Sequence, residues 1–148
     1  MKFTVIAALA TIASAAPATE RRATWTQYFT NVVAEPQPYN NSNLTFAFNL
    51  AFTDGTNYHC ATSFDTNTGV SANNTCTRYG QPTDVTATVA VPGGIQNIAP
   101  YVYIPGIDTT YTADITTADP QYTCAHSGTP GSGVKCISGS GTFTATAV

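Results

Sequence analysis

The stretch Leu44-Thr45-Phe46-Ala47-Phe48-Asn49-Leu50-Ala51-Phe52-Thr53 decides the fold class. Its large apolar residues, Leu44, Phe46, Phe48, Leu50 and Phe52, fall at every second position. Successive side chains of a strand point to opposite faces, so the run builds one greasy face and one small, mostly polar face. A helical period of about 3.6 would scatter the three phenylalanines around a cylinder. Asp54-Gly55-Thr56-Asn57 then supplies turn chemistry, because Gly tolerates positive φ and Asp and Asn bond their own backbone. After it Tyr58, Cys60, Thr62 and Phe64 resume the alternation, and the two runs predict an antiparallel hairpin.

Outward from this hairpin the chain keeps the same rhythm. Residues 25–34, from Trp25, predict a first strand, and Glu35-Pro36-Gln37-Pro38-Tyr39-Asn40-Asn41 predicts a loop, since each Pro removes a donor and fixes φ. Residues 65–74 are rich in Asp, Asn, Thr, Ser and Gly and predict a surface loop. A short strand is expected around Thr77-Arg78-Tyr79, and a longer one over 85–91, stopped by Pro92-Gly93-Gly94. The apolar segment 95–107 is punctuated by Pro100 and Pro105, which suits an edge strand or an ordered loop. Strands over 109–116, 122–125, 134–138 and 142–148 close the chain. Thr, Val and Tyr are strand formers and abundant, whereas Glu, Lys, Leu and Arg are scarce. The expectation is an all-β fold, a single antiparallel β-barrel or barrel-like sandwich.

The N-terminal residues have a different character. Lys2, an apolar run from Phe3 to Ile12 and the small residues Ala13-Ser14-Ala15-Ala16 make a secretory signal peptide, with cleavage expected after Ala15. The run is shorter than the ~20 apolar residues that span a bilayer. Residues 16–22 end in Arg21-Arg22, which reads either as a second processing site or as a retained stub. Processing at Arg22 leaves a single 23–148 domain, long enough for a true core. Its bases are Arg78 and Lys135, against Glu35, Asp54, Asp65, Asp84, Asp108, Asp114 and Asp119, so its net charge is −5. So few bases argue against nucleic acid or an anionic membrane as partner. The expected location is extracellular, and Asn40, Asn43 and Asn73 each begin a glycosylation acceptor triplet.

Cys60, Cys76, Cys124 and Cys136 read as two disulfides in a small exported chain, with three connectivities open. Pairing neighbours closes loops of fifteen and eleven residues and needs no long crossing. A zinc site is disfavoured, because thiolates oxidise outside the cell and the spacings are too wide for paired metal knuckles. No cofactor is implied.

A signal peptide of fungal type, an early Trp/Tyr strand, Phe48-Asn49-Leu50 leading into Cys60, then Cys76, and a late Cys124 and Cys136 followed by Ser138-Gly139 resemble the Alternaria allergen 1 family. The resemblance runs from Trp25 to Val148 and rests on cysteine order and strand rhythm. It implies a small secreted β-barrel with disulfides Cys60–Cys76 and Cys124–Cys136. It also implies a non-enzymatic effector- or allergen-like role, binding host plant defence proteins or eliciting immune responses. The family's founding allergen has an extra cysteine near its mature N-terminus that links two barrels, and this chain has none before Cys60. A monomer or a non-covalent dimer is therefore expected, not a disulfide-linked one.

Catalytic readings are weaker than binding ones. A small secreted ribonuclease would draw on His59, His126, Glu35 and Arg78, which general acid–base work requires to converge. No local signature surrounds them, and two surface histidines beside disulfide loops are the simpler reading. A glycosidase needs two facing carboxylates, yet most aspartates here sit in predicted turns and Asp114 falls in a predicted strand. No G-x-S-x-G elbow occurs, and Gly131-Ser132-Gly133 and Gly139-Ser140-Gly141 read as glycine turns. Eight tyrosines amid few charges favour an aromatic contact surface. Tyr101 and Tyr103 lead the candidates, followed by Tyr39 and Tyr58. A carbohydrate-binding module of the fungal or plant wall, using a glycan ligand, is the alternative to a protein-binding effector.

Overall fold

The computed structural model describes residues 26–37, 40–126 and 133–148. The expected leader, the dibasic pair and Trp25 lie outside the described residues. Strand β1 (Gln27–Gln37) pairs with β2 (Asn40–Phe52) from Gln27 opposite Phe52 to Gln37 opposite Asn40. The expected hairpin follows: β2 and β3 (Asn57–Asp65) place Leu44 opposite Phe64 and Leu50 opposite Tyr58. The short β4 (Val70–Ser71) folds back on β3, and β5 (Asn74–Arg78) and β6 (Gln81–Ala90) make a second hairpin. Next come β7 (Pro92–Ile95), β8 (Asn97–Ile104), a 3-10 turn at Pro105–Ile107, and β9 (Thr109–Thr112). The chain closes with β10 (Ile115–Thr116), β11 (Thr123–His126), β12 (Val134–Ile137) and β13 (Thr142–Ala147). Among the described residues no helix is long and apolar enough to cross a membrane.

All pairings are antiparallel, and they run β1–β13–β9–β8–β6–β5–β3–β2 and back to β1. The ladder thus closes on itself, which makes the architecture barrel-like. The β11–β12 hairpin branches from β1. On that edge β1 pairs first with β13, up to Thr30 opposite Thr142, and then with β12, from Val33 opposite Ile137. The change of partner falls at Asn31, whose φ of 51° is left-handed, and at Val32. Buried Ser138 fastens the fork: its Oγ accepts the Val32 N–H at 2.9 Å, and its own N–H donates to the Val32 carbonyl at 2.9 Å.

The inner face carries the core. Phe46, Phe48 and Leu50 from β2 meet Phe29 and Val32 from β1, Val85 and Val89 from β6, and Val102 from β8. Phe29 and Phe48 contact edge to face, with ring centroids 5.7 Å apart. Tyr122, fully buried after the 116–122 turn, packs edge-on to Phe143 and donates its O–H to the Ile95 carbonyl at 2.6 Å. Both disulfides join sequence neighbours: Cys60–Cys76 ties β3 to β5, and Cys124–Cys136 ties facing residues of β11 and β12. Each contributes roughly 3 kcal/mol by restricting the unfolded chain.

Two sequence expectations need correction, both at prolines. The ends of the expected 35–41 loop are strand: Glu35 and Pro36 in β1 sit opposite Thr45 and Leu44, and Asn40 already belongs to β2, while residues 38–39 lie outside the described residues. Proline is tolerated there because the ladder is irregular between Pro36 and Gln37, so the missing N–H interrupts little. Gly133 has no side chain because a Cβ would lie 2.4 Å from the Pro36 ring. Most of the 95–107 segment is neither an edge nor a loop, since β8 pairs with β6 on one side and β9 on the other, with Pro100 fully buried, and only Pro105–Ile107 forms a turn. Opposite Pro100 and Ala99 the β9–β10 ladder lapses at Ala113 and Asp114, while the register holds from Tyr101↔Thr112 to Ile98↔Ile115. The expected 109–116 strand is accordingly split. Within the expected 65–74 loop, Val70 and Ser71 pair with Asp65 and Phe64.

Truncating Phe48→Ala should cost ~3–5 kcal/mol in chemical denaturation, whereas Thr88→Ala on the outer face should change stability by less than ~0.5 kcal/mol. Burial also pushes the Tyr122 phenol far above its ordinary value of 10.0. The folded state then resists an ionisation that the unfolded chain undergoes, so this group's contribution is whole below that pH and declines as pH rises above it. Denaturation midpoints at neutral and strongly alkaline pH should show a smaller alkaline loss for Tyr122→Phe than for wild type. At neutral pH the variant should be about 1 kcal/mol less stable.

Candidate binding face

With the core inside a closed ladder, the outer face of the sheet is where side chains meet solvent. Alternation along β8 turns Val102 and Ile104 inward and Tyr101 and Tyr103 outward, at 37% and 39% exposure. Their backbone positions are ~7 Å apart along one strand. Thr88 and Thr112 flank Tyr101, and Thr86 and Thr110 flank Tyr103. Tyr103 donates its O–H to Asp108 Oδ1 at 2.9 Å. Asp108 reaches back because it holds φ 48° at the end of the 3-10 turn, where its N–H donates to the Pro105 carbonyl. That hydrogen bond, with the carboxylate's charge and some desolvation, raises the Tyr103 pKa above its ordinary value.

Beyond Tyr101 the face deepens into an open groove of about 500 Å³. Val91, Pro92, Ala99 and Phe64 give it apolar walls, and Tyr101 and Asp114 stand at its rim. The lapse in the ladder sets Asp114 opposite Ala99, one pair from Tyr101↔Thr112 on the outward side. A second groove, of about 420 Å³, lies on the outer face of β1, β2 and β3 along Val33, Ala47 and Ala61. Its acid, Glu35, is already paired with Lys135 at 2.9 Å.

The other sequence candidates are dispersed. Tyr58 turns inward, half-buried, with its ring edge-on to Phe52 at 6.2 Å. Tyr39 and the side chain of Asn40 lie outside the described residues. Asn43 is half-buried on β2 opposite Asp65, and the Thr45 hydroxyl of its triplet donates to the Glu35 carbonyl. Asn73 and Thr75 are exposed where the chain enters β5. His59 Nδ1 lies 2.8 Å from Asn49 Oδ1, and His126 is exposed at the end of β11. His59 pairs opposite Asn49 and Glu35 opposite Thr45, four residues farther along β2, so they are separated by ~13 Å along the sheet. The ribonuclease inventory is therefore not gathered at one point. All four cysteines are consumed by disulfides.

Sequence reading passed over Tyr79. It sits in the two-residue turn between paired Arg78 and Gln81, with φ 51° followed by Gly80 at φ 76°, and is 84% exposed. The Arg78 guanidinium lies 5.4 Å from its ring centroid. The available signal was X-Gly between two strands, a two-residue hairpin pattern that usually takes Asn or Asp first.

No protein-family model, no curated protein and no solved structure matches this chain.

If Asp108 is what raises the Tyr103 phenol, Asp108→Asn should lower its midpoint towards the ordinary tyrosine value. NMR titration of the ring with labelled tyrosine, checked against Tyr103→Phe for assignment, reads the shift.

Proposed function

We propose that this chain is an exported, non-enzymatic binding protein, akin in role to the family that it resembles, and that it engages a host protein through the Tyr101–Tyr103 face. The observation that supports this reading is the pair of solvent-facing rings on one central strand, paired on both sides at Tyr101 and Tyr103. Tyrosine supplies large contact area with few rotatable bonds, and a rigid sheet loses little entropy when it docks. The threonines on either side add hydroxyls that hydrogen-bond without charge. Two disulfides suit an oxidising, extracellular setting. Asn73 is the acceptor asparagine best placed to carry sugar on the folded surface.

The test is a capture experiment with oxidised protein and a reduced, alkylated control, in plant extracellular fluid and separately on wall polysaccharides. Wild-type protein should retain a defined plant protein, and Tyr101→Ala with Tyr103→Ala should lose about tenfold or more of that affinity. Equal capture by the double variant overturns the assignment of the face. Retention on a polysaccharide, with no protein captured, transfers the reading to a carbohydrate-binding module.

A further inference from the structure

We propose that the groove beside Tyr101 receives lysine or arginine side chains of a basic protein partner, with Asp114 as counter-charge and the Tyr101 ring as the face over which the cation sits. This rests on the reading of the β8 outer face as the binding surface and names the chemistry of its partner. Three features of the groove converge on a cation with an aliphatic stem. The walls at Val91, Pro92 and Ala99 are apolar and match the methylene chain of such a residue. An exposed aromatic ring attracts a cation to its face. Asp114 is exposed and, among the described residues, has neither a hydrogen-bond nor an ion-pair partner.

The charge of the rest of the molecule favours the same occupant. Lys135 is engaged by Glu35 in the other groove, so the acid there is already compensated. Arg78 is paired opposite Gln81, nine residues along β6 from Ala90 at this groove, or ~30 Å away. That is several Debye lengths at physiological salt, so neither base among the described residues is free to compensate Asp114. An anionic ligand would be repelled, and an apolar one would desolvate a carboxylate without repaying it. A neutral glycan could use the ring but would leave the charge unanswered.

The probe is a hexa-arginine peptide, with hexa-citrulline as its uncharged isostere, titrated into the oxidised full chain. Hexa-arginine should bind and shift the amide signals of Ala99, Tyr101 and Asp114, while hexa-citrulline should not. Asp114→Asn and Tyr101→Ala should each weaken binding about fivefold. Asp84→Asn removes the same unit of charge six residues from Ala90 along β6, ~20 Å away, and should change it less than about twofold. Equal losses for Asp84→Asn and Asp114→Asn, equal binding of the citrulline peptide, or shifts elsewhere on the sheet overturn the proposal. A captured host protein lost by the double tyrosine variant but indifferent to Asp114→Asn and to salt would overturn the cation groove and leave the binding face standing. Hexa-arginine bound in the groove with no host protein captured would support the cation site and remove the host-protein reading.

Discussion

Strand β1 has to satisfy both of its edges at once, and the barrel-like closure depends on it. One edge is taken by β2 over nearly its whole length. The other must serve β13 and then β12, two strands that cannot occupy the same line. The bulge at Asn31 and Val32 lets β1 turn from one to the other, and Ser138 occupies the backbone groups that the bulge leaves unpaired. An unpaired buried N–H costs about 1–3 kcal/mol, so a serine at this fork does more than fill space. Closure in turn removes most of the open sheet edges that invite non-specific pairing, leaving short ones on β4, β10 and β11 among the described residues.

Once the ladder is closed, the division of labour between faces is fixed. Phenylalanine, valine and leucine fill the inside, and the outside is left to threonine, small residues and a few aromatics. The two outer grooves are similar in size yet differ in charge. In one, Glu35 is matched by a lysine of the same chain; in the other, Asp114 faces solvent unmatched among the described residues. An uncompensated charge beside an exposed ring is available to something outside the molecule.

Besides Asn31 at the fork, backbone strain lies in two turns. Tyr79 and Asp108 both adopt left-handed φ without being glycine, at roughly 1–2 kcal/mol each for a residue with a Cβ. Asp108 uses the conformation to hold the Tyr103 hydroxyl, and Asp tolerates it better than most residues. Tyr79 gains only the neighbouring guanidinium, and its ring stays almost wholly exposed.

Sequence by itself determined the strand class and the β2–β3 hairpin, because a period of two is a local property of the chain; that Tyr101 and Tyr103 turn outward was decided only when β8 paired between β6 and β9. It also marked the four cysteines, whose neighbour pairing followed from the resemblance and is present in the fold. It misjudged Pro36 and Pro100, since whether a missing N–H matters depends on the neighbouring strand, and no neighbour is visible in sequence. Tyr58, a weaker candidate than Tyr101 in the sequence, shares the inner face with Cys60 and Thr62, and only closure of the ladder made that face the interior. Asp114 stood out in the sequence only as the aspartate that falls in a predicted strand. Its position opposite Ala99, beside Tyr101 and far along β6 from Arg78, is a matter of register between strands that only the tertiary structure decided.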